Sequence, residues 1–347
     1  MDVSIVGACG SIGRQAAVSL IESRVLQPSI RLQLVECRGG PSERALLGFA
    51  ADLQDAYAET IPEIDAVLDP EDLLGDIIII AAGATVPCDP HKDLPRRLLA
   101  EANRPLFQTY AKVISEYGHG EEIVLVVSNP VELGVAIFAR HHPRSRVIGM
   151  GGYLDTLRFR CEIANELGIR RQNVQGLVLG EHGAAMVPCW STVSAFGFDS
   201  KDGRDRLKSL RRSGDPSPTD ALDEIRHIMI DRGAEAAFAR LNQYGADLRT
   251  YVKPFAAQIS GAKTPLGTAE MIVRLVETIM SGNQTLAAAQ IALEGEFLGI
   301  HGVTGVPVVL SNRGVERVEP LQLWSEEADA VVAAAAAAQV AIGEFIR

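Results

Sequence analysis

The chain begins with a short apolar run, Val3–Val6, which leads directly into Gly7-Ala8-Cys9-Gly10-Ser11-Ile12-Gly13 and then a helical pattern from Arg14. A strand, a glycine-rich turn and a helix in this order bring free backbone N–H groups and the positive end of the helix dipole to one point. Glycines allow the tight turn, close approach of a pyrophosphate, and packing of the helix on the strand. The sequence therefore predicts a dinucleotide site that includes Gly7, Gly10, Ser11, Ile12 and Gly13.

The first 150 residues alternate short, continuously apolar runs with helical patterns. Runs of this kind are typical of parallel strands that are covered on both faces. The predicted strands are Val3–Val6, Leu32–Glu36, Ile77–Ala82, Ile123–Val127 and Val147–Met150, and the predicted helices are Arg14–Glu22, Pro95–Glu116 and Val131–Arg140. We expect an α/β fold in which residues 1–150 form a Rossmann-type, doubly wound parallel sheet.

The pattern changes after Gly151, and we expect a second, α+β domain over residues 151–347. Its predicted elements are a helix over 154–167, a strand over 174–179, a polar surface stretch over 203–220, helices over 225–241 and 268–280, a hairpin within 291–310 and a long helix from Trp324.

Glu36 stands at the end of the second predicted strand. An acid there accepts hydrogen bonds from the adenosine ribose hydroxyls and repels a 2′-phosphate, so the sequence favours NAD over NADP. Arg38 close by keeps NADP as an alternative. A short-chain reductase would need a Tyr followed four residues later by Lys, and none of the six tyrosines meets this requirement.

Charge and cysteine content exclude several classes. The net charge of -11 argues against a nucleic-acid partner, which requires clustered Lys and Arg. The five cysteines are scattered without metal-ligand spacing, so we expect a reducing compartment and no metal. The longest strongly apolar run, Ile77–Ala82, is too short for a membrane span, and no basic segment precedes Val3. We expect a cytoplasmic enzyme.

Four further segments are similar, in order, to motifs of the lactate/malate dehydrogenase family. They are Asp76-Ile77-Ile78-Ile79-Ile80-Ala81-Ala82-Gly83, Val127-Ser128-Asn129-Pro130-Val131-Glu132, residues 146–160 (RVIGMGGYLDTLRFR) and Leu179-Gly180-Glu181-His182-Gly183. With weaker matches near the C-terminus, the resemblance spans nearly the whole chain. It implies a lactate/malate dehydrogenase-like C-terminal domain and NAD-dependent interconversion of an L-2-hydroxy acid and its 2-keto acid.

The resemblance also implies roles for individual residues. His182 is the acid/base, since imidazole titrates near neutrality, and Asp155 hydrogen-bonds its second ring nitrogen. Arg158 lies one turn after Asp155, and its planar guanidinium suits bidentate binding of the substrate carboxylate. Asn129 binds the substrate oxygen or the nicotinamide.

Four residues have secondary roles by the same resemblance. Asn103 lies near the cofactor ribose, Thr264 closes the substrate pocket, and Gly83 and Val127 also contact the cofactor. The family forms dimers or tetramers, so we expect a homo-oligomer.

The active-site loop departs from the family pattern, which has two arginines in this loop. Residues 84–94 (ATVPCDPHKDL) are one residue short and contain no arginine. Thr85 or Val86 stands where the first arginine would read the malate side chain, and His91, with Lys92 adjacent, stands at the second. We therefore expect a substrate side chain unlike that of malate. Malate dehydrogenase proper and a non-catalytic NAD-binding subunit stay open as alternatives.

Overall fold

A computed structural model describes residues 1–92, 95–212 and 214–346. The strands are β1 (Val3–Val6), β2 (Arg31–Val35), β3 (Glu63–Val67), β4 (Ile77–Ile80), β5 (Ile123–Val126), β6 (Val147–Gly149), β7 (Val174–Gly180), β8 (Met186–Ala195), β9 (Thr285–Glu294), β10 (His301–Ser311) and β11 (Gly314–Val318). The helices are α1 (Ser11–Glu22), α2 (Glu43–Ala56), α3 (Arg96–Tyr117), α4 (Val131–Phe138), α5 (Gly151–Leu167), α6 (Lys201–Ser209), α7 (Pro218–Leu241), α8 (Ala246–Ile259), α9 (Pro265–Ser281) and α10 (Ser325–Ile346).

The strands of the described residues form one sheet in the order β3-β2-β1-β4-β5-β6-β9-β10-β7-β8, with β11 beside β10. From β3 to β6 the pairing is parallel. Beyond β6 it becomes antiparallel, beginning where Gly149 of β6 lies opposite Gln290 of β9. The predicted doubly wound parallel sheet is confirmed for the first 149 residues, and a mixed α/β part follows it.

Alternate side chains of the central strands enter two separate cores. Ile77 and Ile79 of β4 pack with α1 and α9, whereas Ile78 and Ile80 pack with α3 and α4 on the opposite face. All four side chains are buried. Successive residues of a strand point to opposite faces, so a continuous isoleucine run suits a strand covered on both sides.

The strands predicted one by one all occur, with ends shifted by one or two residues, and the predicted hairpin is β9–β10, which begins earlier, at Thr285. Five elements were not predicted: β3, β8, β11, α2 and α8. The strand β3 is only half-buried and includes Glu63 and Asp65, so its sequence is not the continuous apolar run by which the other strands were predicted. In α8, Pro254 lies inside the helix, and an internal proline normally indicates a helix break. The polar stretch after residue 200 contains α6, whose first turn is capped by Ser200.

The C-terminal helix α10 is, within the described residues, long and apolar enough by length and composition to cross a membrane. The core helix of a globular domain passes the same test; in α10, 28% of the apolar window is buried, along a stripe that includes Val331, Ala335 and Ile342. This stripe packs in the two main cores, with the sheet.

The carboxyl ends of β1, β4 and β5 lie side by side because these strands are parallel neighbours. Each strand leads into a segment that the sequence analysis singled out: Gly7 after β1, Gly83 after β4 and Asn129 after β5. Ligands of open parallel sheets bind outside the carboxyl ends of the strands. The fold therefore places these segments together at the edge where a cofactor binds.

Candidate active site

A cavity of about 490 Å³ lies at these strand ends. Its walls include Ser11 and Ile12 of the glycine-rich turn, and Asp155, Arg158 and His182. Gly83, Val127, Asn129 and Thr264 also line it. The structure thus brings together, around one cavity, segments that are far apart in the sequence.

The glycine-rich turn has the shape that a dinucleotide requires. A Cβ added at Gly13 would lie 2.2 Å from the carbonyl oxygen of Gly7, so this glycine permits helix and strand to pack closely. Gly7 has a φ of +86°, in the left-handed region. A Cβ at Gly10 would meet only the Gly7 oxygen, at 3.2 Å, so the space beside Gly10 is open. No side chain caps the N-terminus of α1, which leaves its N–H groups for an anion.

Glu36 follows β2 and lies against the same turn, where its Oε1 accepts a hydrogen bond from the Cys9 N–H at 2.7 Å. Burial raises the pKa of Glu36, while the Cys9 N–H and the charge of Arg14 oppose that rise. Arg38 donates through Nε to Asp69 at 2.9 Å, so the cation that would favour a 2′-phosphate is already paired. The residues present fit NAD.

Asp155, Arg158 and His182 form a hydrogen-bonded group. His182 Nδ1 lies 2.7 Å from Asp155 Oδ2, and Arg158 Nη1 donates to Asp155 Oδ1 at 3.1 Å. Asp155 and Arg158 are one turn apart on α5, whereas His182 follows the end of β7. Because Asp155 engages Nδ1, the second ring nitrogen of His182 is left for a substrate oxygen.

The charges of this group shift the pKa values of His182 and Asp155 in the directions that acid–base chemistry needs. Burial alone would lower the pKa of His182, but the charge and hydrogen bond of Asp155 raise it above the ordinary histidine value. Burial would raise the pKa of Asp155, but His182 and Arg158 lower it, so the carboxylate stays ionised. An imidazole held this way can both donate and accept a proton near neutral pH.

Arg96, the first residue of α3, lines the cavity and was not among the predicted site residues. Its Nη2 donates to Glu132 Oε2 at 2.7 Å, and its Nη1 lies 2.7 Å from Glu181 Oε1 and 3.2 Å from the His182 carbonyl oxygen. Buried Glu132 also accepts from the His182 N–H at 2.6 Å. Burial raises the pKa of Glu132, and the charge of Arg96 opposes that rise. One arginine thus lies between two carboxylates beside the histidine.

His91 and Lys92 do not reach this cavity. Both are exposed, and Lys92 Nζ lies 3.7 Å from Asp89 Oδ2 of the same loop. The structure therefore does not bring His91 or Lys92 together with His182 and Asp155, whereas Arg96 of the following helix lies beside the histidine. Asp93 and Leu94 of the loop lie outside the described residues.

Asn103 lies behind two residues of the cavity wall, Ala84 and Asn129. It is buried, accepts from the Ala84 N–H at 2.7 Å, and donates to the carbonyl oxygens of Ala84 and Asn129 at 3.0 and 2.6 Å. Its amide therefore fixes the start of the loop, and its side chain is not part of the cavity wall. Arg96 and Asn103 are seven positions apart, which is two helical turns. This spacing could have placed Arg96 on the same helix face as Asn103.

A metal centre is a separate question. Within residues 1–92, 95–212 and 214–346, no group of three or more His, Cys, Asp or Glu side chains is placed to hold a metal ion.

A paired imidazole, a half-buried guanidinium and a dinucleotide turn lie around one cavity. In general such a turn can hold a nicotinamide cofactor, a guanidinium can bind a carboxylate, and an imidazole can exchange a proton with a neighbouring oxygen while a hydride moves. The fold and the site therefore define the class of NAD-dependent hydroxy acid dehydrogenases.

Comparison with known proteins agrees with this class. The family model described as "lactate/malate dehydrogenase, NAD binding domain" matches residues 1–149, and "lactate/malate dehydrogenase, alpha/beta C-terminal domain" matches residues 153–203. The malate dehydrogenase of Halobacterium salinarum is 30% identical over 336 residues, which cover 94% of this chain and 93% of that protein. The L-2-hydroxycarboxylate dehydrogenase (NAD(P)(+)) of Methanocaldococcus jannaschii is 27% identical, covering 94% and 93%.

A solved structure, the malate dehydrogenase of Aeropyrum pernix, superposes with a TM-score of 0.72 and 26% identity, covering 99% of this chain and 97% of that one. The chain belongs to the lactate/malate dehydrogenase family. It is an NAD-dependent dehydrogenase that acts on the CH–OH group of hydroxy acids.

The Asp155→Asn variant tests the charge pairing of His182. Reduction of a keto acid needs the protonated imidazole. The kcat/KM for reduction is therefore at its maximum below the raised pKa of His182 and falls as the pH rises through that pKa. A neutral amide no longer stabilises the imidazolium, so we expect the alkaline limb to move to lower pH and activity to fall about a hundredfold. A pH profile of kcat/KM measures both changes; an alkaline limb that does not move contradicts the pairing.

The Gly151→Ala variant tests how His182 is held in place. A Cβ at Gly151 would lie 2.3 Å from His182 Cγ, so the ring must move. Because a shift of about 1 Å can cost about a hundredfold in rate, we expect a loss of that order in kcat with NADH binding retained. Gly48→Ala in α2 is the matched control, since a Cβ there meets nothing within 4 Å. Wild-type turnover in Gly151→Ala would show that the ring does not lie against α5.

Proposed function

We propose that this protein interconverts a small L-2-hydroxy acid and its 2-keto acid with NAD, and that the substrate side chain differs from that of malate. The observation that carries the proposal is the convergence of His182, Asp155 and Arg158 on one cavity. Thr85 and Val86 on the loop wall of this cavity carry no charge, so a second carboxylate has no partner at the position where the family reads malate.

Each of these residues has one task in the reaction. Arg158 binds the substrate carboxylate and thereby fixes the neighbouring carbon. His182 gives its proton to the carbonyl oxygen during reduction and takes it back during oxidation, while Asp155 stabilises the imidazolium. When bound, NAD supplies the hydride acceptor, and NADH the donor. Asn129 and Thr264 line the cavity and complete the substrate and nicotinamide contacts in this proposal.

We assign to Arg96 the carbonyl-polarising task that the family gives to its second loop arginine. Arg96 lines the cavity and donates to the His182 carbonyl oxygen at 3.2 Å, so its guanidinium lies beside the proton donor. A positive charge there stabilises the negative charge that develops on the substrate oxygen.

The organisation of the protein is part of the proposal. We place the boundary between the cofactor-binding domain (1–150) and the substrate domain (151–347) near Gly151, where α5 begins and the sheet leaves its parallel part. By the family resemblance, the protein acts as a homo-dimer or homo-tetramer.

The structure and the relatives bear on the two alternative functions. Malate dehydrogenase proper is favoured by the names of several relatives and by the presence of Arg96 at the cavity. A non-catalytic NAD-binding subunit is opposed by the intact hydrogen bonds that join His182, Asp155 and Arg158.

The His182→Gln variant tests the assignment of the acid/base. We expect kcat for keto-acid reduction to fall about a thousandfold, since the proton donor is lost, while NADH still binds. Pyruvate, oxaloacetate and bulkier 2-keto acids with NADH form the substrate panel. Turnover retained by the variant would remove His182 from its role, and no turnover of any keto acid by a wild-type protein that binds NADH would favour the non-catalytic subunit.

The Arg96→Gln variant tests the polarising role, and Arg97→Gln is its matched control. Arg97 is the next residue on α3 but is exposed and faces Glu101 and Glu344 at the surface. We expect Arg96→Gln to lower kcat about a hundredfold to a thousandfold and Arg97→Gln to leave it near wild type. Equal activity of the two variants would contradict the assignment.

A further inference from the structure

One face of α8 forms a wall of the cavity. The residues of this face are Thr250, Tyr251, Pro254, Phe255 and Gln258. Their spacing is that of one side of a helix. This helix lies beyond residue 203, where the match to the C-terminal family model ends. The wall is therefore built by one helix that the match to the C-terminal family model does not reach.

The same helix is joined to the active-site loop. Gln258 Nε2 donates to the Val86 carbonyl oxygen at 2.7 Å and lies 3.4 Å from Cys88 Sγ. Val86 and Thr85 line the cavity together with α8. The loop and the helix thus form one continuous wall, and the amide N–H of Gln258 is already used within it.

The charges around the cavity leave little place for a second substrate carboxylate. Arg158 is paired with Asp155 and is reserved for the first carboxylate. Arg96 is paired with Glu132 and Glu181 and is assigned to the substrate oxygen, so it is not free to pair with a second substrate carboxylate. Lys263 also lines the cavity, but its side chain is exposed in the turn before α9.

The surface that α8 presents is aromatic. Tyr251 and Phe255 are half-buried and pack on the apolar cluster between α7 and α8. Burial and the charge of Glu181 raise the pKa of Tyr251, which therefore remains a neutral phenol. Aromatic rings and Pro254 gain free energy by burying apolar surface, whereas a carboxylate placed against them would lose hydration.

We infer that the α8 wall reads the substrate side chain and selects 2-hydroxy acids whose side chain is branched-aliphatic or aromatic. The inference rests on the proposed function and names its substrate class. Phe255 and Tyr251 contact this side chain, while Arg158 holds the carboxylate at its other end.

The test compares four 2-keto acids with NADH: pyruvate, 4-methyl-2-oxopentanoate, phenylpyruvate and oxaloacetate. We expect the wild-type kcat/KM to be highest for one of the two bulky acids. Phe255→Ala should lower kcat/KM for that acid about 10- to 100-fold. The kcat/KM for pyruvate should stay within about threefold of the wild-type value, because the methyl group of pyruvate has little contact to lose. Phe255→Leu is a second variant, in case Phe255→Ala does not fold. NADH binding and thermal unfolding are measured for both.

The outcomes separate the inference from the proposed function. An equal loss for pyruvate and the bulky acid would show that Phe255 has only a structural role and would overturn the inference alone. If the wild-type protein prefers oxaloacetate and the Lys263→Met variant loses this preference, the inference is also overturned. The substrate side chain would then be acidic and bound by Lys263. Absence of turnover with every acid, in a protein that binds NADH, would instead overturn the proposed function and the inference with it.

Discussion

The site is organised around one buried carboxylate. Asp155 is only 3% exposed, and its two oxygens face two different cationic partners, His182 and Arg158. A buried charge is costly unless it is paired and hydrogen-bonded, so the position of each partner is constrained by the same anion. The ring of His182 and the guanidinium of Arg158 are therefore set at a fixed separation. In the proposed function, that separation must match the distance between the carbonyl oxygen and the carboxylate of a 2-keto acid.

A second carboxylate connects this group to the rest of the fold. Glu132 lies in the first turn of α4, directly after the β5 segment that carries Asn129, and it binds both the His182 N–H and Arg96. Glu132 thus links the segments that follow β5, β7 and the active-site loop, and Asp155 adds α5, which follows β6. The sheet brings these segments to one edge, and the buried acids then fix their side chains against each other.

Much of the architecture could be predicted because its signals are local. The run Val3–Val6 with its glycines, the isoleucines of β4 and the motif around His182 each carry their pattern within a few residues. Arg96 could not be recognised this way, because its partners Glu132 and His182 are 36 and 86 positions away. The helix α8 was missed for a different reason: tertiary packing on α7 and α5 overrides the local effect of Pro254.

The bonds of Asn103 have a consequence for how substrate enters. Both backbone groups of Ala84 are engaged by this buried amide, and at the far end of the segment Arg96 is anchored to Glu132. A movement of the loop that displaces Val86 must therefore break the hydrogen bond from Gln258 to the Val86 carbonyl oxygen, even if Ala84 and Arg96 stay in place. Such a movement is coupled to α8, the helix that lines the same cavity.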